Sequence, residues 1–191
     1  MKLVLASSSP YRRELLQRLR LEFEVCAPDV DETPATNEIP ERTASRLAQE
    51  KARAVSARFS DSLIIGSDQI ATLDGKLLAK PGTRENASKQ LRLLRGRKAS
   101  FQTAVALHNS FTGKTQMALV PTLVVFRHLS DEQIESYLSK EPAYDCVGSG
   151  KIEGLGIALV EKIETEDPTA LIGLPLIALT GMLLDEGVTV L

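Results

Sequence analysis

The feature that most constrains this chain is Leu63-Ile64-Ile65 followed at once by Gly66-Ser67-Asp68-Gln69. An apolar, β-branched run of this kind reads as a buried strand, and a carboxylate at its tip is costly to bury unless it is used. Three other charged residues, Arg12, Glu32 and Lys51, stand at similar edges of other apolar segments. All four are therefore expected to converge on one cleft, and that mixture of acids and bases suits a phosphorylated substrate.

The order of signals along the chain predicts the rest of the architecture. Lys2 to Ala6 reads as a buried strand, and Ser9-Pro10 as the cap and first position of a helix running to about Arg20. Glu22 to Cys26 alternates like a strand, Ala27 to Pro40 reads as a loop, and Glu41 to Phe59 as a second helix. Leu63 to Leu73 and Lys76 to Ala79 form a hairpin around Asp74-Gly75, and Thr83 caps a helix ending near Gly96. Lys98 to Asn109 and Thr115 to Arg127 are long strands joined near Thr112-Gly113, and Ser130 with Gln133 has capping-box spacing. A strand is expected at Gly156 to Val160 and a closing helix at Pro175 to Leu184. Helices alternate with strands while hairpins rule out a purely parallel sheet, so the expected class is α/β with a mixed sheet and flanking helices. The 191 residues are read as one domain, 1–191.

Two bases fall where apolar residues belong. Arg12 lies on the stripe of Leu15, Leu16 and Leu19, and Lys51 lies among Ala44, Leu47, Ala48 and Val55. Each must either carry its charge past apolar neighbours to water or meet a partner or ligand. Ser7 to Ser9 precede a helix amino terminus, which together with Arg12 and Arg13 makes either a phosphate cradle or a simple cap. Lys80, before Pro81, is a further candidate for phosphate or an ordinary turn lysine. Glu32 and Asp68 could hold a divalent ion through oxygen, or one of them could accept a proton from water.

Other chemistries are excluded on the same residues. Acids number 25 and bases 23, a net charge of −2, so no general pull toward a nucleic-acid backbone is expected. Cys26 and Cys146 lack zinc or redox spacing and fit a reducing cytoplasm. No apolar run reaches the ~20 residues of a membrane span, nor does the amino terminus read as a signal. Gly148-Ser149-Gly150-Lys151 fails as a phosphate-binding loop because Asp145 and Ile152 occupy required Gly and Ser/Thr positions. His108 and His128 are read as structural.

Beyond these readings, Leu5-Ala6-Ser7-Ser8-Ser9-Pro10-Tyr11-Arg12-Arg13-Glu14-Leu15-Leu16, Val30-Asp31-Glu32, Leu47-Ala48-Gln49-Glu50-Lys51-Ala52, Gly66-Ser67-Asp68-Gln69, Lys80-Pro81, Glu153-Gly154 and Gly173-Leu174-Pro175-Leu176 resemble the Maf family of nucleotide pyrophosphatases, in order and over nearly the whole chain. The resemblance implies two lobes around a cleft, as in inosine triphosphate pyrophosphatases. It also implies hydrolysis of a nucleoside triphosphate to monophosphate and diphosphate with a divalent metal, Mg²⁺ or Mn²⁺. By the same resemblance Asp68 is the proton acceptor, Glu32 assists with metal or water, and Ser7, Arg12, Arg13, Lys51 and Lys80 line the triphosphate.

Tyr11, Gln69 and Glu153 occupy positions associated with substrate choice. An aromatic residue, Gln and Glu there match the subgroup acting on 7-methyl-GTP, whereas Arg, Thr and Gln would match dTTP and UTP. The cationic 7-methylguanine ring suits stacking on an aromatic face and donates two hydrogen bonds to a carboxylate. Tyr11 departs from the usual Trp and offers a smaller face. The resemblance also makes a homodimer plausible. The rival expectations are a related enzyme for dTTP, UTP or another modified nucleotide, and a nucleotide-binding regulator of septum formation.

Overall fold

Val4, Leu5 and Ala6 are fully buried, as are Ile64 and Ile65, so the first and third strands are central rather than half-exposed. The computed structural model describes residues 1–191. Its elements are β1 (Lys2–Ala6), α1 (Pro10–Gln17), β2 (Glu24–Val25), α2 (Pro40–Ser56), β3 (Ser62–Leu73), β4 (Lys76–Leu78), α3 (Arg84–Leu94), β5 (Lys98–Asn109), β6 (Thr115–Phe126), α4 (Asp131–Lys140), β7 (Val160–Thr165) and α5 (Leu176–Asp185). The strands form one sheet in the order β2-β1-β3-β5-β6-β7, with β4 paired to β3. Strand β1 is parallel to β2 and β3, whereas β3–β4 and β6–β7 are antiparallel, so the sheet is mixed as the sequence implies.

The chain divides into two compact units: Met1–Gln69, Gln102–Val120 and Asp167–Leu191 form the first, and Ile70–Phe101 and Pro121–Glu166 the second. The first is built on an apolar cluster of Leu3 and Leu5, Leu15 and Leu16, Leu63 and Ile65, Val105 and Leu107, and Leu176, Leu179 and Leu183. Helix α1 opens as expected, with the Ser9 hydroxyl accepting from the Arg12 N–H. It ends at Gln17 rather than Arg20, because the N–H groups of Arg18, Leu19 and Arg20 each bond three residues back and Arg20 turns left-handed at φ 54°. Helix α2 likewise stops at Ser56 in a tightened turn rather than at Phe59. Only Glu24 and Val25 of the expected second strand pair with β1.

Gly66 decides how closely α2 packs on β3. A Cβ there would stand 2.1 Å from the Ala48 carbonyl oxygen and 2.8 Å from the Ala52 nitrogen, so helix backbone lies directly on strand backbone. Ala48 and Ala52, both fully buried, are the small residues that permit this approach.

In the second unit the Asp74-Gly75 hairpin is present, with both residues left-handed at φ 48° and 76°, as a tight two-residue turn requires. Thr83 caps α3, and Ser130 and Gln133 form the capping box of α4. The strand expected at Gly156 to Val160 is a correction: Leu155–Leu159 is a 3₁₀ turn, and the strand begins at Val160. There the chain folds onto itself. The Gly154 and Gly156 N–H groups both donate to the Lys151 carbonyl, leaving them no ladder to join. The rejected phosphate-loop segment is a short 3₁₀ turn at Val147–Ser149, and the Lys151 N–H donates to the Tyr137 hydroxyl at 3.0 Å.

Burial pushes the Tyr137 phenol up to about 12 from 10.0. A phenol held neutral in the folded state contributes stability that is complete below the unfolded value and is lost as pH rises through the folded one. Tyr137→Phe should therefore flatten the fall in urea midpoint between pH 10 and about 12. At Gly66, replacement by Ala should cost about 1–3 kcal/mol in a urea melt, since overpacking must push α2 away.

Candidate functional site

The pairing of β1 with β3 runs from Lys2↔Ser62 to Ala6↔Gly66, and the polar residues begin at that end of both strands. Ser7 follows β1 directly, while Ser67, Asp68 and Gln69 continue β3. Ligand sites of open α/β sheets lie at such carboxyl ends of parallel strands. Because Gly66 admits α2 so closely, Lys51, one residue before Ala52, is delivered to the same place.

Lys51 Nζ lies 2.7 Å from Asp68 Oδ1 and 2.6 Å from Glu32 Oε1. The Lys51 and Asp68 side chains are 5% and 8% exposed, so this is a buried ion pair; Glu32, at 64%, closes it from the solvent side. The sequence had left Lys51 a choice between reaching water and finding a partner, and it takes two partners.

Arg12 is the second cation of the cluster. Its Nε donates to the Gly173 carbonyl at 2.8 Å. Burial pulls the guanidinium below its usual value, and the charges of Asp68 and then Glu32 oppose that pull. The same Gly173 carbonyl accepts from the Ser67 hydroxyl at 2.9 Å, with the Ala104 carbonyl 2.7 Å from that hydroxyl. Gly173, at φ 124°, occupies a backbone region that favours glycine. The sequence offers it only as part of Gly-Leu-Pro-Leu, and its role as a shared acceptor emerges only from the fold.

Gln69 is fixed by its amide nitrogen, which faces the Thr103 hydroxyl at 2.9 Å and the carbonyls of Ala170 and Leu171 at 3.0 and 3.1 Å. Turning the amide over would set its oxygen against three oxygens. Its Oε1 is therefore the atom left to accept from a ligand. Thr103 donates in turn to the Ala170 carbonyl at 3.0 Å.

The other candidates sit as follows. Ser7 is buried and its hydroxyl accepts from the Ser9 N–H at 3.1 Å, while Ser9 itself caps α1. Tyr11 is half-buried and Arg13 exposed. Lys80 and Glu153 belong to the second unit, both exposed; Lys80 follows β4, and Glu153 lies in the turn before Gly154. Gly154 packs on the Glu141 carboxylate, where a Cβ would stand 2.6 Å from an oxygen. His108 has its Nδ1 2.9 Å from the Thr115 hydroxyl. No helix is long and apolar enough to cross a membrane.

This is an α/β chain with two carboxylates and two cations gathered at the end of a parallel strand pair. It matches the family described as Maf-like protein over residues 2–186, and the chain belongs to the Maf family. Curated relatives named 7-methyl-GTP pyrophosphatase include one from Cupriavidus pinatubonensis, 56% identical over 97% of this chain and 94% of its own, and one from Thiobacillus denitrificans, 58% identical over 99% and 94%. Among solved structures, the Staphylococcus aureus Ham1 protein aligns with a TM-score of 0.48 at 16% identity, over 67% of this chain and 73% of its own.

The buried pair makes a direct prediction. Lys51→Met leaves Asp68 in the interior without its deepest cation and should cost about 3–5 kcal/mol in a urea melt. Lys51→Met with Asp68→Leu should recover most of that loss.

Proposed function

We propose that this chain hydrolyses 7-methyl-GTP to 7-methyl-GMP and diphosphate. The observation that carries this reading is the cluster Asp68, Lys51, Glu32 and Arg12, in a chain whose full-length relatives at 56–58% identity bear that activity as their name.

In the proposed reaction a water oxygen attacks the α-phosphorus, the bond from that phosphorus to the bridging oxygen of the β-phosphate breaks, and diphosphate leaves. Asp68 takes the proton from the attacking water. Lys51 and Arg12 meet the negative charge that builds on the phosphoryl oxygens and the departing diphosphate. Their own charges are balanced by Asp68 and Glu32, so the cluster by itself carries no surplus for a triphosphate. Added positive charge is needed, and it is assigned partly to Arg13 and Lys80 at the phosphates, where Ser7 would add a neutral hydroxyl donor, and partly to a divalent cation.

Glu32 and Asp68 suit such a cation, since Mg²⁺ typically takes one or two carboxylates with substrate phosphates completing its shell. When bound, Mg²⁺ or Mn²⁺ would neutralise triphosphate charge and polarise the reacting phosphorus. Base choice is assigned to Tyr11 for stacking and to Gln69 and Glu153 as acceptors. The anchoring of Gln69 supports this role, because its free Oε1 matches the N–H donors on the guanine edge.

Diphosphate release should be measured with Mg²⁺ across 7-methyl-GTP, GTP, dTTP, UTP and CTP, with 7-methyl-GTP expected to be turned over best. EDTA should stop the reaction and excess Mg²⁺ restore it. Asp68→Asn should reduce kcat by at least ~10²-fold, the lower end expected for a general base. Glu153→Gln should lower the preference for 7-methyl-GTP over GTP. A pyrimidine preference would overturn the base assignment, and nucleotide binding without diphosphate release would favour a regulator.

A further inference from the structure

Glu32 lies in a segment without helix or strand and its side chain is 64% exposed, yet its carboxylate stands 2.6 Å from Lys51 Nζ. Arg46 ties this segment to α2. Arg46, on the same helix as Lys51, spends its whole guanidinium on it and on the helix itself. Nε and Nη2 each donate at 2.8 Å to the two carboxylate oxygens of Glu38, Nη2 donates to the Thr33 carbonyl at 3.2 Å, and Nη1 donates to Glu50 at 3.0 Å.

Thr33 is the residue directly after Glu32. Glu38 also accepts the Ala35 N–H at 3.0 Å, and Asp31 accepts the Thr33 N–H at 2.9 Å. Residues 31–38 thus form a loop with its own internal bonds, tied to α2 by the planar Arg46 guanidinium as well as by the Lys51–Glu32 pair. A guanidinium makes this connection and an ammonium cannot, because only the fork reaches two carboxylate oxygens, a backbone carbonyl and a second acid at once. The Arg46–Glu38 bond holds the Glu38 carboxyl down at about 2, so the connection is intact at neutral pH.

We propose that Arg46 is a positioning residue that fixes Glu32 against Lys51 and Asp68. The inference rests on the reading of this cluster as the pyrophosphatase centre. Arg46 and Lys51 share one rigid helix, so the register between Glu32 and Lys51 is set where Arg46 grips Thr33 and Glu38. The Arg46 and Glu38 side chains are only 29% and 11% exposed, so the bidentate pair holds a fixed geometry rather than exchanging freely with water. A displacement of about 1 Å in a catalytic group can cost 10²-fold in rate.

The test compares Arg46→Gln, Arg46→Lys, Glu32→Gln and the double variant Arg46→Gln/Glu32→Gln in Mg²⁺, by kcat and KM for 7-methyl-GTP. Arg46→Gln should lower kcat by about 10–100-fold with KM changed far less, and Arg46→Lys should recover only part. In the Glu32→Gln background, Arg46→Gln should cost almost nothing more, because its effect passes through Glu32. Losses that multiply in the double variant, or an unchanged kcat in Arg46→Gln, would overturn the proposal. Amide hydrogen exchange gives a readout independent of turnover. Arg46→Gln should speed exchange at Thr33 and Ala35, and unchanged protection there would also overturn the clamp. Failure of the wild-type protein to release diphosphate from any nucleotide would instead reject the pyrophosphatase reading, leaving the exchange result to decide the clamp.

Discussion

Helix α2 touches strand β3 backbone to backbone at Gly66, where even a methyl group would overlap the Ala48 carbonyl. That approach brings a helical lysine to the tip of a buried strand and forms the Lys51–Asp68 pair in a place water hardly reaches. Burying either charge alone would be strongly unfavourable. Burying them together, with Glu32 as a second acid, is tolerable because each finds its counter-charge within hydrogen-bonding distance.

Around this pair the structure economises on acceptors. One backbone carbonyl, that of Gly173, receives both Arg12 and Ser67, so the segment after Thr169 positions a cation and a strand hydroxyl together. The same stretch supplies the Ala170 and Leu171 carbonyls that orient Gln69. It is itself stiffened by Asp167, 2% exposed, which accepts from the N–H groups of Thr169 and Ile177. Residues distant in sequence thereby share one rigid backbone frame, which suits a site that must present charges at fixed spacing.

Much of this was legible along the chain. The spacing of Ala44, Leu47, Ala48, Lys51 and Val55 marks Lys51 as misplaced on a buried face, and the fold puts it there. Caps at Ser9, Thr83 and Ser130 and the turn at Asp74-Gly75 were readable because they depend on neighbours a few residues away. The strand expected at Gly156 to Val160 was not, because alternation there competes with glycines whose N–H groups bond the Lys151 carbonyl instead. Arg46 gave no signal: an arginine on a half-buried helical face has many ordinary uses, and its partners Thr33 and Glu38 lie in a loop without periodicity.

The sequence by itself determined the class of fold, the strand that carries Asp68, the helix that carries Lys51 and the family to which the chain belongs. Those properties follow from local periodicity, capping and ordered motifs. Only the tertiary structure decided that Lys51 is answered by both Asp68 and Glu32, that Gly173 serves Arg12 and Ser67 at once, and that the amide of Gln69 points its nitrogen inward. Each of those outcomes is a contact between residues far apart in the chain. Such contacts depend on how closely α2, β3 and the 167–177 segment can pack, which is a property of volume and backbone geometry that no single segment encodes.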